Sequence, residues 1–502
     1  MVSGRGYGHG VGMSQFGAYG QATAGRTYDE ILTYYYTGVE LGKAPARPVR
    51  VLLAEGRRAV TIGSTAPFTV RDAAGSIFRL PAGQLAIRPD LKITTPDGRV
   101  APVGPIVVRP SKSAPLSLDG RLYRGVLEVA SQVPYLRVVN TVGLESYLSG
   151  VVPGEMPYTW PLEALKAQAV AARSYALANL LKGKPFDLYA DVRSQVYLGA
   201  GGEKPRTTEA VEDTAGRVVL YGGRVASTLY HASSGGRTAS AADVFGLAAP
   251  YLLGKPDPWD KTSPYYRWGP LLFGARTLQA RLAIEGRVID ATASGTPSGR
   301  VRTVTVQTAT GAEIIPASLV RTALGLRSTW LTIGVLRLDR PSSSTVVFGS
   351  GTRLSGVARE VAAPALSTSV DGATWRKGGP LPVARAGAVS VDVKPTRSMR
   401  YRLEVDGAAS PALLVQVSPR LELAVPAEPG VLSGTVRPKS PGSPVTIERR
   451  KGEAWIAVGE ARVGTGGAFR VELHLVPGSY RARMPANGGL VSALSPTIEV
   501  AG

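Results

Sequence analysis

The sequence predicts an α+β domain followed by two all-β sandwiches, and three observations lead to this prediction. Strand-like runs such as VRVLLAE and PIVVRP fill residues 48–139, a long helical window without a breaker follows at 162–181, and helical windows are missing from the last third of the chain. A chain of 502 residues is too long for one hydrophobic core. We therefore expect an α+β domain at 1–335 and β-sandwich modules at 336–420 and 421–502.

The chain begins with a glycine-rich segment that predicts a loop and two helices. Glycines up to Gly12 predict a loop whose backbone approaches another group closely. A short helix should begin near Met13. Thr27 and Glu30 have the spacing of a capping box, which predicts a second helix that ends at Gly38.

The helix predicted at 162–181 has the clearest helical pattern of the chain. Trp160 and Pro161 open it, with Pro161 expected at the first helical position. Lys166 and Arg173 are seven residues apart, so they share one face. A weaker helix is predicted from about residue 316 to 324. The apolar stripe of the long helix consists of Leu162, Leu165, Ala169, Ala172 and Ala176.

The end of the chain contains one pattern twice. Trp375 precedes Tyr401 by 26 residues, and Trp455 precedes Tyr480 by 25 residues. A period of about 80 residues with short strands and Gly/Pro turns predicts two β-sandwich modules. We expect the joint between them within residues 418–431.

Charge and cysteine content exclude several classes of protein. The 58 Lys and Arg against 37 Asp and Glu give a net charge of +21, which favours anionic partners. Because the basic residues are scattered and lack zinc-finger spacing, we expect no nucleic-acid binding. The lack of cysteine excludes disulfides, thiolate catalysis and Cys-ligated zinc. No run approaches about 18 consecutive apolar residues, so we expect no transmembrane segment.

Glu155 is the most conspicuous candidate for chemistry. It lies between Pro153 and Pro157 among apolar neighbours, so we expect it in a turn ahead of the long helix. Burial of a carboxyl group favours its protonated form, which a general acid requires. Lys166 or Arg173 nearby would lower its pKa instead. The alternative is that Glu155 merely caps the positive end of the helix.

Three further segments, at residues 9–15, 191–199 and 230–238, combine polar groups with tight-turn glycines. A serine nucleophile is not expected, because the SSGG string is good turn chemistry and a G-x-S-x-G elbow is missing. The three histidines are far apart in the sequence and form no H-E-x-x-H pattern. We therefore expect neither a metal nor another cofactor.

The stretch VNTVGLESYLSGVVPGEMPYTWPLEALKAQAVAARSYAL resembles the SpoIID/LytB family, the stage II sporulation protein D and amidase-enhancer group. YHASSGGRT, LGLRSTWL and GRGYGHGVGMSQFGAYGQ are similar to further blocks of that family. The resemblance covers roughly residues 4–40 and 120–331. The two C-terminal modules lie outside it and look like immunoglobulin-like domains.

Two departures from the family pattern matter. The GHGVGMSQ block stands first here, whereas in most members it comes last, which indicates a circular permutation. The LRST block at 324–331 should therefore lie beside the start of the chain. Some members bind zinc through Cys and His, and a chain without cysteine cannot reproduce that site.

The resemblance implies a lytic transglycosylase that cleaves the MurNAc–GlcNAc bond of peptidoglycan and leaves 1,6-anhydro-MurNAc ends. The glutamate of the family's E-M-P string falls on Glu155, the catalytic acid and base, and Asp191 is the fallback second carboxylate. The expected substrate-binding residues are Lys166, Gln168, Arg173, Tyr175, Gln195, Tyr230, His231, Ser233, Ser234, His9, Ser14 and Gln15.

The expected partners follow from this activity. They are peptidoglycan glycan strands and other anionic wall polymers, and the expected location is extracellular or in the cell wall, with an export signal already removed. The alternative function is a non-catalytic wall-binding protein that enhances a partner amidase.

Overall fold

The computed structural model describes residues 1–111 and 114–501. It is a mixed α+β protein with many β-sheets and few helices, which confirms the mixed class predicted from the sequence. Among the helices in these ranges, none is long and apolar enough to cross a membrane. The α-helices are α1 (Gln15–Thr23), α2 (Tyr28–Tyr35), α3 (Leu144–Glu155), α4 (Leu162–Ala178), α5 (Pro205–Asp213), α6 (Ala241–Phe245), α7 (Ala275–Leu282) and α8 (Ala317–Leu324).

The second helix, α2, begins as the sequence predicts. Thr27 is its N-cap and forms the expected capping box with Glu30. The helix ends at Tyr35 and not at Gly38, because Tyr36 adopts extended backbone with φ −106° and ψ 112°.

The long helix, α4, lies at the centre of the first domain. It ends at Ala178, three residues before the predicted end at Leu181. Its buried residues are not confined to one stripe, since it packs against α1, α2, α3 and α5. The many alanines allow these neighbours to approach closely.

The β-rich part before α3 forms two main sheets, as expected for residues 48–139. Their inward faces contribute to the same large apolar core as α2, α3 and α4. The seven-stranded sheet has the order Leu188–Tyr189, Pro48–Arg57, Tyr135–Gly143, Val126–Gln132, Ile106–Pro110, Phe68–Arg71, Ile77–Leu80, and the four-stranded sheet has the order Arg121–Tyr123, Leu116–Leu118, Val60–Ser64, Gly83–Ile87.

Smaller sheets complete the first domain. The strand Met13–Ser14 pairs in parallel with Tyr230–His231, which brings the glycine-rich start of the chain to the YHASSGGRT segment. The remaining strands are Ile93–Thr95 with Gly98–Val100, then Arg224–Val225, Arg217–Tyr221 and Glu40–Lys43, and finally Val288–Gly295, Val301–Thr308 and Ala312–Pro316.

The start of the chain pairs with the end of this domain. Val2–Gly4 lies between Leu331–Ile333 and Trp268–Leu271, antiparallel to both. The backbone N–H of Arg5 donates to Trp330 O at 2.9 Å, and the Ser328 hydroxyl donates to Arg5 O at 2.5 Å. The LRST block is therefore adjacent to the glycine-rich start.

Each of the two C-terminal segments consists of two sheets around its own apolar core. The first has Val335–Leu338, Thr352–Arg359 and Ala388–Val393 in one sheet and Thr345–Val347, Leu413–Ser418, Met399–Val405, Ala365–Ser369, Arg376–Pro380 and Ala408–Ala409 in the other. The second has Arg420–Leu423, Val431–Arg437 and Ala468–Glu472 in one sheet and Ala454–Arg462, Pro444–Lys451, Gly478–Met484, Ala493–Leu494 and Ile498–Val500 in the other.

Candidate active site around Glu155

Glu155 is the last residue of α3, not part of a turn ahead of α4. The prediction of a turn is wrong because the helix continues through Pro153, even though a proline inside a helix lacks the N–H for one hydrogen bond. The capping alternative is also wrong: α4 has no side-chain N-cap, and Glu155 lies at the negative end of α3.

Three neutral groups hydrogen-bond to the Glu155 carboxyl group. The backbone N–H of Val196 donates to Oε1 at 3.0 Å, and the side chains of Gln15 and Tyr230 also bond to the carboxyl. Burial raises the pKa of Glu155, and these three hydrogen bonds offset the increase only in part. The negative end of the α3 dipole disfavours the carboxylate further. The local environment therefore favours the protonated acid.

Tyr230 is held in place by a second row of polar groups. The amide of Gln195 donates to Tyr230 Oη at 2.9 Å, and the hydroxyl of Tyr147 donates to Gln195 Oε1 at 3.2 Å. Because Tyr230 Oη already accepts this bond, its own hydrogen is free for the Glu155 carboxyl. Tyr175 packs edge-to-face against Tyr230, with ring centroids 6.4 Å apart.

Gln168 supports Gln15 from α4. Its Oε1 accepts a hydrogen bond from Gln15 Nε2 at 3.4 Å, and the side chain of Gln168 is completely buried. The structure therefore brings Gln15 and Tyr230 to Glu155, with Gln168 and Gln195 one contact further away.

His231, with His9 beside it, lies on the opposite face of its strand from Tyr230. His231 follows Tyr230 in a strand, so its side chain points to the opposite face. It is buried, its Nδ1 lies 3.2 Å from Val11 O, and its ring centroid lies 5.6 Å from that of His9. Burial and the neighbouring Arg300 cation lower the pKa of His9 to about 4, so both rings are neutral.

The serines expected to bind substrate form part of a buried carboxylate cluster instead. Asp260 accepts hydrogen bonds from Ser14 Oγ at 2.8 Å, from Ser233 Oγ at 2.7 Å and from the N–H of Gly235 at 2.7 Å. Ser234 Oγ accepts the N–H of Gly236 at 3.1 Å. All three serines are inaccessible to solvent, so we assign them a structural role.

Asp257 completes this cluster, and the sequence reasoning missed both of its aspartates. The Tyr35 hydroxyl donates to Asp257 Oδ1 at 3.0 Å. Burial and the nearby Asp260 charge raise the pKa of Asp257 to about 7. The partner Ser14 is 246 residues from Asp260 in the sequence, so no local pattern indicates the cluster. The paired acids of the DPWD string are the one signal that could have suggested it.

The two cations of the α4 motif are paired with acids of the domain rather than available to substrate. The Arg173 side chain is 0% exposed and makes a two-point ion pair with Glu145 at 3.0 and 2.5 Å. The Nζ atom of Lys166 lies 3.3 Å from Glu163 Oε1 and 3.0 Å from Asp213 Oδ2. Both cations therefore have acidic partners within the protein, and their expected substrate contacts stay a prediction.

The fallback carboxylate, Asp191, is exposed. It makes a two-point pair with Arg193 at 2.9 and 2.7 Å, which holds its pKa below the usual range. A carboxylate of this kind cannot serve as a protonated acid near neutral pH. In the described ranges, groups of three or more His, Asp or Glu with metal-binding geometry are not found.

Comparisons with known proteins agree with the motif that contains Glu155. Residues 133–221 match the family model described as SpoIID, stage II sporulation protein. An uncharacterized protein of Brachyspira hyodysenteriae is 43% identical over 141 residues, which cover 28% of this chain and 38% of that protein. The "Amidase enhancer" of Bacillus subtilis is 41% identical over 152 residues, 30% of this chain and 21% of that protein.

The chain matches a larger share of a third relative. "Stage II sporulation protein D" of Bacillus subtilis is 28% identical over 250 residues, 44% of this chain and 70% of that protein. The chain thus spans well under half of the first two relatives but more than two thirds of the third. Matching solved structures, such as a tetra-tandem repeat of a large adhesion protein, have a TM-score of only 0.20 and carry no argument. Taken with the motif, the match at 133–221 and the named relatives place the Glu155 segment of this chain in the SpoIID/LytB family.

Proposed function

We propose that this protein is a lytic transglycosylase that cleaves the MurNAc–GlcNAc bond of peptidoglycan glycan strands and leaves 1,6-anhydro-MurNAc ends. The observation that carries the proposal is the Glu155 carboxyl: partly buried at the negative end of a helix, bonded only to neutral donors, with a raised pKa. Because its pKa is raised, such a group keeps its proton to a higher pH than an ordinary glutamate and can donate it to a leaving oxygen.

In the first step Glu155 acts as the general acid. Its proton passes to the glycosidic oxygen while the bond from that oxygen to C1 of the muramyl sugar breaks, which leaves an oxocarbenium-like centre. Tyr230 and Gln15 hold the carboxyl group in place and stabilise the carboxylate that forms, through the same hydrogen bonds that they make in the structure.

In the second step the Glu155 carboxylate acts as the base. It removes the proton from the 6-hydroxyl of the muramyl sugar, and that oxygen forms the new bond to C1. The 6-hydroxyl of the same sugar replaces water as the acceptor and closes the anhydro ring, so the atoms balance without hydrolysis and Glu155 ends the cycle protonated.

A mechanism with one carboxyl group suits this site. Ordinary glycosidases need two carboxyl groups on opposite sides of the bond. Asp191 is exposed and bound to Arg193, and Glu145 is bound to Arg173, so neither suits the role of a second acid or nucleophile.

Product analysis tests the proposal. Purified glycan strands, with and without stem peptides, are incubated with the protein and analysed by mass spectrometry. We expect products with anhydromuramic ends, which are lighter by one water than hydrolysis products. Reducing muramic ends would contradict the proposal, and so would intact strands.

The alternative is a non-catalytic wall-binding protein that stimulates an amidase, and the relative named "Amidase enhancer" favours keeping it. Intact glycan together with faster release of stem peptides by an added wall amidase would support this alternative. Either activity places the protein in the cell wall, outside the cell membrane.

We also propose that the first domain is circularly permuted. The pairing of Val2–Gly4 with Leu331–Ile333 supports this, because permutation requires the old junction to stay close in space. A chain in which residues 4–40 are moved to follow residue 335 should unfold at a similar temperature. Failure of that chain to fold would contradict the permutation.

A further inference from the structure

Five aromatic rings form a continuous row in the first domain. The ring centroids of Tyr19 and Trp160 are 5.0 Å apart, those of Trp160 and Phe16 4.9 Å, those of Phe16 and Tyr265 5.9 Å, and those of Tyr265 and Tyr7 5.0 Å. The rings come from the start of the chain, from the loop between α3 and α4, and from the segment after the DPWD string. Distant parts of the sequence therefore converge to build one row.

The row lies at the surface, unlike a second cluster of three tyrosines in this domain. Tyr123, Tyr147 and Tyr197 also contact one another, but they are 5%, 0% and 4% exposed. In contrast, every ring of the row keeps part of its surface open to solvent, and Tyr7 is 39% exposed. Burial in the core therefore does not account for the row.

One part of the row is continuous with the Glu155 site. Phe16 directly follows Gln15, whose side chain bonds to the Glu155 carboxyl. Trp160 closes the turn that follows α3, since its backbone N–H donates to Pro157 O at 3.0 Å. From these rings the row extends through Tyr265 to Tyr7, close to the junction of the chain start with the LRST block.

A cation lies at the Tyr7 end. The Arg327 guanidinium is 4.7 Å from the Tyr265 ring centroid and 5.7 Å from that of Tyr7, and it is exposed. Within residues 1–111 and 114–501 it makes no salt bridge. It is thus able to pair with a negative group on a bound molecule.

We propose that this row, Tyr19–Trp160–Phe16–Tyr265–Tyr7, is the platform on which the glycan strand extends away from Glu155, with Arg327 binding the lactyl carboxylate of a muramic acid unit. The choice of glycan rests on the function proposed above. Aromatic faces match the apolar faces of pyranose rings, and the planar guanidinium matches a carboxylate.

The test measures binding without cleavage. In the Glu155→Gln background, long peptide-free glycan strands and chitin oligosaccharides of similar length, which lack the lactyl carboxylate, are titrated by calorimetry. Tyr7→Ala should weaken binding of both by at least about fivefold. Tyr7→Phe should bind as the parent does. Tyr135 is also 39% exposed but lies at the far end of the strand that leads into α3, so Tyr135→Ala is the matched control and should leave binding unchanged.

Arg327→Gln gives an independent measurement. We expect weaker binding of muramic strands, with a smaller dependence on salt, and unchanged binding of chitin oligosaccharides. Equal losses for both ligands would overturn the role of Arg327.

The outcomes separate this proposal from the enzymatic one. If Tyr7→Ala binds long strands like Tyr135→Ala, or if no variant binds glycan, the platform is wrong, whatever the products show. If the wild-type protein yields no anhydro products but binding still depends on Tyr7, the platform stands and the transglycosylase proposal fails.

Discussion

The two glutamates of α3 lie at opposite ends of the same helix and in opposite electrostatic environments. Glu145 is in the first turn, near the positive end, where it pairs with Arg173 and accepts the N–H of Gly216 at 3.2 Å. Glu155 is the last residue, at the negative end, and its partners are neutral. One glutamate has a cationic partner, whereas the other has only neutral partners and a raised pKa.

The resemblance assigns Lys166 and Arg173 to substrate binding, but both are paired with acids other than Glu155. The difference between the two glutamates gives a reason for this. A cation beside Glu155 would lower its pKa and remove the proton that a general acid needs. Lys166 and Arg173 are instead paired with other acids, and the neutral side chains of Gln15 and Tyr230 occupy the positions next to Glu155. Neutral donors orient the carboxyl without making the loss of its proton easy.

The largest effect is expected from Glu155→Gln. Gln keeps the shape and can accept the Val196 N–H, but it cannot transfer a proton, so the cleavage rate should fall by about 10²–10⁴-fold. Asp191→Asn is the control and should keep its activity. A fully active Gln variant together with an inactive Asn variant would shift the acid to Asp191.

The same site predicts a pH profile and a response to chelators. Because the reaction needs protonated Glu155, the rate should fall as pH rises through a pKa above the ordinary range of a glutamate. Incubation with a chelator should leave the rate unchanged, whereas loss on chelation and recovery with zinc would contradict a site built from Glu155 alone.

The other end of α3 predicts a loss of stability. Arg173→Ala should destabilise the first domain by about 3–5 kcal/mol in urea unfolding, since it leaves Glu145 and two backbone carbonyls without their partner. Arg193→Ala removes a two-point pair of similar geometry whose side chains are 59% and 50% exposed, and should cost less than about 1 kcal/mol. Equal effects of the two changes would show that burial of the Arg173 pair contributes nothing.

The sequence predicts those features that depend on neighbours along the chain. The capping box at Thr27 is a local signal and is confirmed, whereas α4 begins at Leu162, one residue after the predicted start, with Pro161 as its N-cap. The prediction of a turn at the end of α3 was wrong. Pro153 and Gly154 favour a turn locally, whereas packing of the helix in the core keeps it helical.

The site was predictable only in part, for a similar reason. Glu155 stands out by its apolar neighbours, and the family motif names the residues that surround it. The direction of each side chain depends on tertiary contacts: strand alternation turns His231 away from Glu155, and Asp260 collects Ser14 and Ser233 from distant segments. No spacing in the sequence carries that information.

A smaller effect is expected at Asp257. This buried acid lies outside the active site and serves as a comparison for Glu155. Its pKa of about 7 means that folding disfavours its ionisation. The contribution of Asp257 to stability should therefore be full below about pH 4, fall as pH rises towards 7, and stay level above, a loss of up to roughly 3–4 kcal/mol. The buried His9 and His231 contribute a slope of opposite sign, because their lowered pKa values make stability rise with pH. The test therefore compares each variant with the parent protein. Relative to the parent, Asp257→Asn should lose the falling contribution of Asp257, whereas Asp191→Asn should keep it, as measured by urea unfolding between pH 4 and 8. Asp260, whose pKa burial also raises, keeps its own contribution in both variants. An unchanged slope in Asp257→Asn would show that another group is responsible.

The smallest effect is expected at Lys166, where the structure and the family resemblance lead to different results. If its role is the pair with Glu163 and Asp213, both of which are partly exposed, Lys166→Gln should cost less than about 1 kcal/mol of stability. The same variant should leave KM for long glycan strands unchanged, because the cation does not reach the substrate. Asp213→Asn removes one acid of the pair and serves as the matched variant, since it should lose a similar small amount of stability and also leave KM unchanged. A KM that rises several-fold in Lys166→Gln but not in Asp213→Asn would mean that Lys166 leaves its ion pairs and contacts the substrate when glycan binds.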